Sequence, residues 1–328
     1  MNTQPHRSNL SHLFSESDAI DTSRAKVAIL LCTFNGSRFL GEQLDSFVRQ
    51  THKNWVVYAS DDGSSDETLL LLKDFQKTQG KDRLILLNGP NQGFAKNFLS
   101  LIKNRSIIAD YFAFSDQDDI WFDDKLERGL AKVGKVQNVP ALYCSRTRLI
   151  SADKRLEGYS PLFTAAPAFA NALVQSIAGA NTMLINSEAR ELLAHTPDDA
   201  EIVAHDWLTY LLVTGCGGTV FYDPLPTLDY RQHSDNIIGA NNRWRDRVVR
   251  LGKMCTGRFR QWSSQNLLIL KGFSEKLTPQ SQQTMARFEQ ARDSALIRRI
   301  FLMKKSGVYR QTSPGNISLF IATCLNWI

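Results

Sequence analysis

The sequence has few cysteines and no long apolar run, and both absences narrow the class of protein. Five Cys residues occur among 328 residues, with neither disulfide spacing nor zinc-ligand spacing. No stretch reaches the ~18 consecutive apolar residues that a membrane-spanning helix needs. Residues 1–25 are polar, so we expect a loose leader there and no secretory signal. A cytoplasmic protein is therefore expected, rather than a secreted or integral membrane protein.

Charge is unevenly distributed along a chain whose overall composition is ordinary. Hydrophobic residues make up 43% and charged residues 22% of the sequence, values that exclude a largely disordered or fibrous protein. Residues 243–310 contain 16 Lys or Arg and four Asp or Glu, whereas residues 1–242 contain 23 basic and 29 acidic side chains. Such a basic segment favours an anionic partner, either a membrane surface or nucleic acid. The alternative is a solvated helical face.

Short apolar runs alternate with helical patterns over the first half of the chain. The candidate strands are VAILL (27–31), WVVYAS (55–60), RLILL (83–87), YFAFS (111–115) and ALYCSRTRLI (141–150). Amphipathic segments between them predict helices, and Ser64 with Glu67 forms a candidate capping box. This alternation is typical of an α/β protein with a mainly parallel, doubly wound sheet. Such sheets bind ligands beyond the carboxyl ends of their strands.

Polar side chains follow the first three candidate strands. Thr33 and Asn35 lie in a turn after the first strand, and Asp62 lies in an acidic turn after the second. Turn formation and helix capping are the alternative explanation for such residues. Lys96, after the third strand, either reaches a phosphate or is a solvated helix residue. The sequence contains no glycine fingerprint for a dinucleotide and no P-loop.

The turn Asp116-Gln117-Asp118-Asp119, after the fourth strand, gives the sharpest functional signal. Three carboxylates within four residues repel one another and raise one another's pKa unless a cation neutralises them. Mg²⁺ binds one or two protein carboxylates and completes its shell with water and phosphate oxygens. The apolar neighbours YFAFS and IWF argue against the alternative of an exposed acidic loop. The turn therefore predicts a divalent-cation site.

Taken together, these motifs resemble glycosyltransferase family 2, in its rhamnosyltransferase-like branch. The matching stretches are VAILLCTFNGSRFLGEQLDSFVRQTHKNW, YASDDGSSDETL, NQGFAKNF, FSDQDDIWFDDKL and YRQHSDNIIG, in the family's order over 27–239. The resemblance implies a Rossmann-like GT-A domain at 26–240, with 26–136 binding the nucleotide sugar and 137–240 forming the acceptor side. A helical basic region at 241–328 would follow. The implied reaction transfers a sugar from a nucleotide diphosphate to a hydroxyl, usually with inversion and with Mg²⁺ or Mn²⁺.

The resemblance assigns donor-site roles to individual residues. The residues assigned to the nucleotide sugar are Thr33, Asn35, Asp62, Lys96, Asp116, Gln117, Arg231 and His233. Asp116 and Asp118 would be the acids of the D-x-D motif, with Asp118 the more direct metal ligand and Asp119 an extra acid. Arg231 and His233 are two residues apart, so on an extended segment they share a face and could clamp the diphosphate. A surface loop is the alternative for that pair.

Asp206 is the predicted general base. The acceptor hydroxyl loses a proton as it attacks the anomeric carbon, which calls for a carboxylate on the opposite side of the sugar. Asp206 opens an apolar helical run where the resemblance places this base, although helix capping is an alternative. His205 would tune Asp206 or act as the base itself. Gly179, Asn181 and Trp207 are assigned to the acceptor side.

The resemblance favours transfer of L-rhamnose from dTDP-L-rhamnose to a lipid-linked bacterial surface polysaccharide. UDP-glucose and UDP-galactose are alternative donors, and a catalytically silent nucleotide-sugar or membrane-binding module is the alternative of another class. The interleaved cations and aromatics at 243–262 and the apolar segment 317–328 favour a peripheral position on an anionic membrane. No nucleic-acid-binding motif is present, so no nucleic-acid partner is expected.

Overall fold

The computed structural model of the protein describes residues 22–233 and 258–328. The strands are β1 (Val27–Thr33), β2 (Trp55–Asp61), β3 (Leu84–Asn88), β4 (Tyr111–Ser115), β5 (Ile120–Trp121), β6 (Ala141–Ser145), β7 (Arg148–Ser151), β8 (Leu156–Tyr159), β9 (Leu184–Asn186), β10 (Thr219–Asp223) and β11 (Leu228–Gln232). The α-helices are α1 (Ser37–Val48), α2 (Thr68–Gln79), α3 (Phe94–Lys103), α4 (Lys125–Val133), α5 (Phe169–Ala172), α6 (Ser187–Ala194), α7 (His205–Gly215), α8 (Arg258–Gly272), α9 (Pro279–Arg292), α10 (Leu296–Ser306) and α11 (Ser313–Cys324).

Seven strands form the main sheet in the order β10-β6-β9-β4-β1-β2-β3. Neighbours pair in parallel except at β9, which is antiparallel to both β4 and β6. Strand β1 is buried on both faces because its alternate residues enter different hydrophobic clusters. Ile29 and Leu31 pack in the cluster with α1 and α4, whereas Ala28 and Leu30 belong to the cluster with α3 and α7. The predicted mainly parallel α/β sheet is confirmed.

A second sheet of four strands, in the order β5-β11-β7-β8, adjoins the turn after β4. Strand β11 pairs in parallel with β7 and antiparallel with β5. The prediction of one strand over 141–150 is wrong, because the chain leaves the main sheet after Ser145 and enters the second sheet at Arg148. The register of β7 and β11 sets Arg148 beside Asp229, and their side chains form an ion pair. Pairing with β5 places β11 beside the acidic turn after β4.

The predicted capping box at the start of α2 does not form. Helix α2 begins at Thr68, and the Ser64 hydroxyl donates to the Asp61 carboxylate at 2.6 Å instead. Asp66 takes the capping role, since its carboxylate accepts the backbone N–H of Thr68 at 3.0 Å. The other oxygen of Asp66 accepts the N–H of Ser37 at 3.0 Å. The acidic turn after β2 is therefore tied to the start of α1.

The C-terminal part that the structure describes consists of helices α8–α11, as expected of a helical region. These helices share the core of the sheet, since Phe259 and Phe288 lie in the same hydrophobic cluster as the strand residue Leu30. The N–H of Thr278 donates to the carbonyl of Gly215 at 3.0 Å, which ties the start of α9 to the end of α7. Among the described helices, none combines the length and the apolar character needed to cross a membrane.

Several predictions fall wholly or largely on residues that the structure does not describe. They concern most of the leader 1–25, the domain boundary near residue 240, most of the basic pattern 243–262, and the last six residues of YRQHSDNIIG. The domain boundaries remain predictions.

Candidate active site

The carboxyl ends of β1, β2 and β4 lie side by side at one edge of the main sheet. Strand β1 runs between β2 and β4 in parallel register, which aligns Thr33 with Asp61 and Leu31 with Ser115. The Thr33 hydroxyl donates to the Asp61 carboxylate at 2.8 Å. The turn Asp116–Asp119 begins directly after Ser115. This edge is where a parallel α/β sheet binds its ligand.

Hydrogen bonds between loops hold two of the predicted nucleoside-binding residues. The side-chain oxygen of Asn35 accepts the N–H of Ser65 at 2.8 Å, and its backbone has the left-handed φ of 46° that asparagine tolerates. The Asp62 carboxylate accepts the N–H groups of Asn91 and Gly93, both at 2.7 Å. Both side chains therefore hold the loops after β1, β2 and β3 through hydrogen bonds. A nucleoside that binds there would contact loops whose conformation is already set.

Gln117 joins the acidic turn to the turn after β1. Its side-chain oxygen accepts the N–H of Phe34 at 2.9 Å, and its amide nitrogen donates to the Phe34 carbonyl at 3.0 Å. A Cβ added to Gly36 would lie 2.1 Å from the same side-chain oxygen, so a larger residue there would displace the Gln117 amide. Gln117 thus fixes the spacing of the two turns, and its contact with the donor remains a prediction.

Asp116 and Asp118 are the partly exposed acids of the turn. Burial, followed by the charges of Asp118 and Asp206, raises the pKa of Asp116 to about 7. An oxygen of Asp118 lies 2.7 Å from Nε2 of His233. Burial and the neighbouring carboxylates both disfavour a second negative charge here, and a bound cation would offset that cost.

Asp119, the third acid of the turn, is fully buried. It accepts the side-chain N–H of Asn181 at 2.6 Å, while burial raises the pKa of its carboxyl well above the usual value. Burial also lowers the pKa of nearby Lys125 to about 7, against an upward effect of the Asp119 charge. Asn181 therefore supports the acidic turn rather than facing an acceptor, and Gly179 lies against the Asn181 side chain.

Arg231 and His233 occupy different environments. Arg231 is buried, and its guanidinium donates to Glu42 at 2.8 Å, to the Ala152 carbonyl at 2.9 Å and to the Asp118 carbonyl at 3.0 Å. The buried guanidinium and these partners favour a positioning role, and a direct clamp on the diphosphate stays a prediction. His233 remains partly exposed beside Asp118.

Asp206 is the first acid of α7, at the position predicted for the base. Its carboxylate accepts the backbone N–H of Trp207 at 2.7 Å, and burial raises its pKa to about 6. The Asp206 charge also raises the pKa of Asp116, after burial and Asp118. The predicted base therefore lies close enough to the acidic turn for their charges to interact.

His205 points away from this site into an aromatic cluster. Its ring stacks on Phe98 with centroids 4.0 Å apart and makes edge contacts with Phe94 and Phe114. Within the described residues neither ring nitrogen has a hydrogen-bond partner, and burial lowers the pKa to about 3. In this cluster the ring makes no hydrogen bond to Asp206, and its catalytic or tuning role stays a prediction.

Trp207 and Lys96 also have protein partners. The indole N–H of Trp207 donates to the Ala172 carbonyl at 2.6 Å, and its ring lies edge-on to Trp262 with centroids 6.3 Å apart. Trp207 therefore joins α7 to α5 and α8, and its place on the acceptor side stays a prediction. The Lys96 ammonium donates to the Asp198 carbonyl at 2.5 Å, and its contact with phosphate remains a prediction.

Sequence reasoning missed two polar residues that support the site. Asn97 is buried in α3, where its amide nitrogen donates to the Ser60 carbonyl at 2.9 Å and its oxygen accepts the Ser60 hydroxyl. The sequence signal for a supporting role of Asn97 was its position as a polar residue inside the apolar stripe of FAKNFLSLI. Glu42 on α1 binds the guanidinium of Arg231, and nothing in the helical pattern distinguishes it from a solvated acid.

A divalent cation fits this site if the substrate completes its coordination shell. Among the described residues no three His, Cys, Asp or Glu side chains are grouped as a ready metal site. Mg²⁺ uses one or two protein carboxylates when phosphates supply further oxygens. Asp116 and Asp118 provide two partly exposed carboxylates in a field that favours a cation.

Comparisons with known proteins agree with this geometry. A family model described as glycosyl transferase family 2 matches residues 28–166. The dTDP-rhamnosyl transferase RfbG of Shigella flexneri is 30% identical over 233 residues, which cover 68% of this chain and 78% of RfbG. The chain belongs to glycosyltransferase family 2. It is therefore a glycosyltransferase, and the rhamnosyltransferase-like resemblance is confirmed.

Two further relatives extend the comparison of this family 2 enzyme. The UDP-Glc:alpha-D-GlcNAc-diphosphoundecaprenol beta-1,3-glucosyltransferase WfgD of Escherichia coli is 30% identical over 117 residues, covering 36% of this chain and 44% of WfgD. The mannosyltransferase PcManGT from Pyrobaculum calidifontis, solved with GDP-Man and Mn²⁺, superposes with a TM-score of 0.52 at 16% identity. That match covers 93% of this chain and 86% of PcManGT, and it supports the GT-A fold.

Proposed function

We propose that this glycosyltransferase moves L-rhamnose from dTDP-L-rhamnose to a hydroxyl of a bacterial surface glycan, with inversion at the anomeric carbon. The observation that carries the proposal is the meeting of Asp116, Asp118 and Asp206 at one edge of the sheet. The donor named for RfbG supports dTDP-L-rhamnose. The names of WfgD's substrates support UDP-glucose as the second candidate donor and a lipid-linked acceptor.

The acidic turn would hold the diphosphate end of the donor. Asp118, with Asp116, would hold Mg²⁺ or Mn²⁺, which when bound neutralises the charge that develops on the leaving nucleotide diphosphate. His233 lies beside Asp118 and would donate to a phosphate oxygen. Thr33 and Asn35 would face the nucleoside, on loops that their own hydrogen bonds hold in place.

Asp206 would accept the proton of the attacking acceptor hydroxyl. Its raised pKa of about 6 leaves the carboxylate ionised near neutral pH while making it a better base than an exposed aspartate. Attack from the face opposite the leaving group inverts the anomeric centre in one displacement. A β-linked dTDP-L-rhamnose donor would therefore give an α-L-rhamnoside.

Arg231 would act by positioning rather than by touching the donor. Its buried guanidinium links Glu42 of α1 to the backbone carbonyl of Asp118. Arg231 therefore keeps the acidic turn at a fixed distance from α1.

A donor panel with purified protein tests the proposal. We expect Mn²⁺-dependent release of dTDP from dTDP-L-rhamnose to exceed release of UDP from UDP-glucose or UDP-galactose. Asp118→Asn should abolish this turnover with the fold intact, whereas Asp123→Asn, at a largely exposed acid five residues later, should retain it. Undiminished turnover in excess chelator would refute the metal role. A preference for UDP-glucose would refute the donor, and failure of all donors to react would favour a silent binding module.

A further inference from the structure

Two adjacent C-terminal helices expose large apolar side chains. On α10, Ile297 and Phe301 are 86% and 61% exposed, and on α11, Ile317, Phe320 and Ile321 are 61%, 57% and 45% exposed. Their spacing of three or four residues puts them on one face of each helix. Single exposed apolar residues are normal, but five on two neighbouring helices indicate a contact surface.

The opposite faces of these helices are anchored in the protein. Leu302 of α10 and Leu319 of α11 are buried in the hydrophobic cluster that includes the main sheet. Arg299 is buried between the helices, and its guanidinium donates to the Thr323 carbonyl at 3.1 Å and to the Ser294 carbonyl at 2.9 Å. The exposed side chains therefore stand on a fixed pair of helices.

The charged residues in this part of the chain are all basic. Residues 294–328 contain five basic residues and no Asp or Glu. Arg298, Lys304 and Lys305 are exposed, and the Lys305 ammonium lies 5.9 Å from the centroid of the Phe301 ring. Cations and apolar groups thus share the face of α10. Such a surface repels a second copy of itself and attracts an anionic one.

We propose that α10 and α11 form a membrane-docking surface, made by Ile297, Phe301, Ile317, Phe320 and Ile321, that seats on an anionic lipid bilayer. Apolar side chains enter the boundary between headgroups and acyl chains, while flanking cations bind anionic headgroups, each contributing about 1 kcal/mol. The surface includes part of the apolar segment 317–328 considered from sequence, adds α10 to it, and does not involve the basic pattern 243–262. It does not depend on the proposed donor, because neither helix carries a residue of the active site.

The apolar part of the proposal is tested by vesicle co-sedimentation of the full chain. We expect binding to phosphatidylcholine vesicles that contain phosphatidylglycerol, and at least about tenfold weaker binding for the double variant Phe301→Ser, Phe320→Ser. The matched control is Leu70→Ser with Ile108→Ser, which removes two exposed apolar side chains outside the C-terminal helices. This control should bind like the unaltered protein.

The charge part is tested with a second pair of variants. Lys304→Gln with Lys305→Gln should weaken binding to the anionic vesicles and reduce its dependence on salt. Lys73→Gln with Lys77→Gln, both exposed on α2, removes the same charge elsewhere and should leave binding unchanged.

The outcomes separate this proposal from its rivals. Unchanged binding of the Phe301 and Phe320 double variant would overturn it, as would equal binding to vesicles without phosphatidylglycerol. A dimer that forms without vesicles and is lost in that variant would identify a self-association surface instead. A thermal melt of the same variants confirms that they are folded, and donor hydrolysis in solution is measured alongside it. The donor hydrolysis assay needs no vesicles. Its failure would therefore count against the proposed function and not against the proposed membrane-docking surface.

Discussion

At the residue scale, Asp206 is the side chain on which chemical turnover depends most directly. We expect Asp206→Asn to lower transfer by about 10²–10⁴-fold, because the variant keeps the size of the side chain and loses the proton acceptor. Binding of the nucleotide should persist, since Asp206 lies on α7 rather than on the nucleotide-binding loops. Steady-state kinetics with the acceptor, alongside Asp199→Asn as an exposed acidic control, provide the measurement. Full transfer by Asp206→Asn would rule out this base.

The pKa of the same carboxyl sets the acidic limb of the pH profile. The base works only when ionised, and burial raises its pKa to about 6. We therefore expect kcat/KM for the acceptor to fall as the pH drops through about 6, well above the range of an ordinary aspartate. A profile that stays flat to about pH 4.5 would contradict the assignment, since an unperturbed carboxyl titrates below that value.

His205 leads to a prediction about stability, and its pKa is lowered by burial whereas that of Asp206 is raised. Burial lowers its folded pKa to about 3, whereas the unfolded chain binds the proton near ~6.5. The unfolded state therefore binds more protons below about pH 6.5, so stability is lost as the pH falls from there towards 3. Relative to the protein with His205, His205→Phe should gain about 2 kcal/mol between about pH 7 and pH 5. Urea unfolding at both pH values measures this, and an equal difference at the two pH values would contradict it.

The direction of a side chain was the part of the site that sequence could not supply. The acids of the turn were selected because charge crowding is visible in the sequence, and Asp206 because the family resemblance places a base at that helix start. Arg231 and Asn181 were assigned to ligands and His205 to catalysis, yet all three side chains are buried. Which buried group meets which partner depends on tertiary packing between distant segments, and no local pattern encodes it.

At the element scale, strands and helices with strong local periodicity were predictable, and those defined by pairing were not. Strand β1 and helix α1 were found because a continuous apolar run and an amphipathic stripe carry their own signal. The division of 141–150 into β6 and β7 depends on two different partners, β10 and β11. The antiparallel β9, three residues long, likewise exists through its pairing with β4 and β6.

Helix α6 offers a test of how caps and strands combine. The Asn186 side-chain oxygen accepts the N–H of Ala189 at 3.0 Å as a cap and the N–H of Ala141 at 2.8 Å from β6. We expect Asn186→Ala to cost about 2–4 kcal/mol, because two buried donors lose their acceptor. Thr312→Ala removes the exposed cap of α11 alone and should cost about 1 kcal/mol. Chemical denaturation of both variants measures the difference, and equal losses would contradict the double role.

At the scale of the whole molecule, the site is assembled by the ends of three parallel strands and the start of α7. Binding of dTDP with Mn²⁺ should therefore stabilise the entire fold, by about 2.7 kcal/mol at a hundredfold excess over Kd. This corresponds to a rise in Tm of several degrees. A thermal melt should show the Mn²⁺-dependent part of the rise disappear in Asp118→Asn, with Asp123→Asn as the control. A full rise in Asp118→Asn would place the cation elsewhere.

The hydrogen bonds between the loops at the proposed nucleotide site have a consequence for the entropy of donor binding. Asp62, Asn35 and Gln117 already restrain their neighbours' backbone groups before any sugar nucleotide arrives. Binding of the donor would then restrict few additional backbone torsions, so ordering these loops would reduce the binding free energy only slightly. If the donor binds on these loops, we expect discrimination between thymine and uracil bases to come from the fit of a preformed surface, rather than from a loop that folds around whichever base it meets.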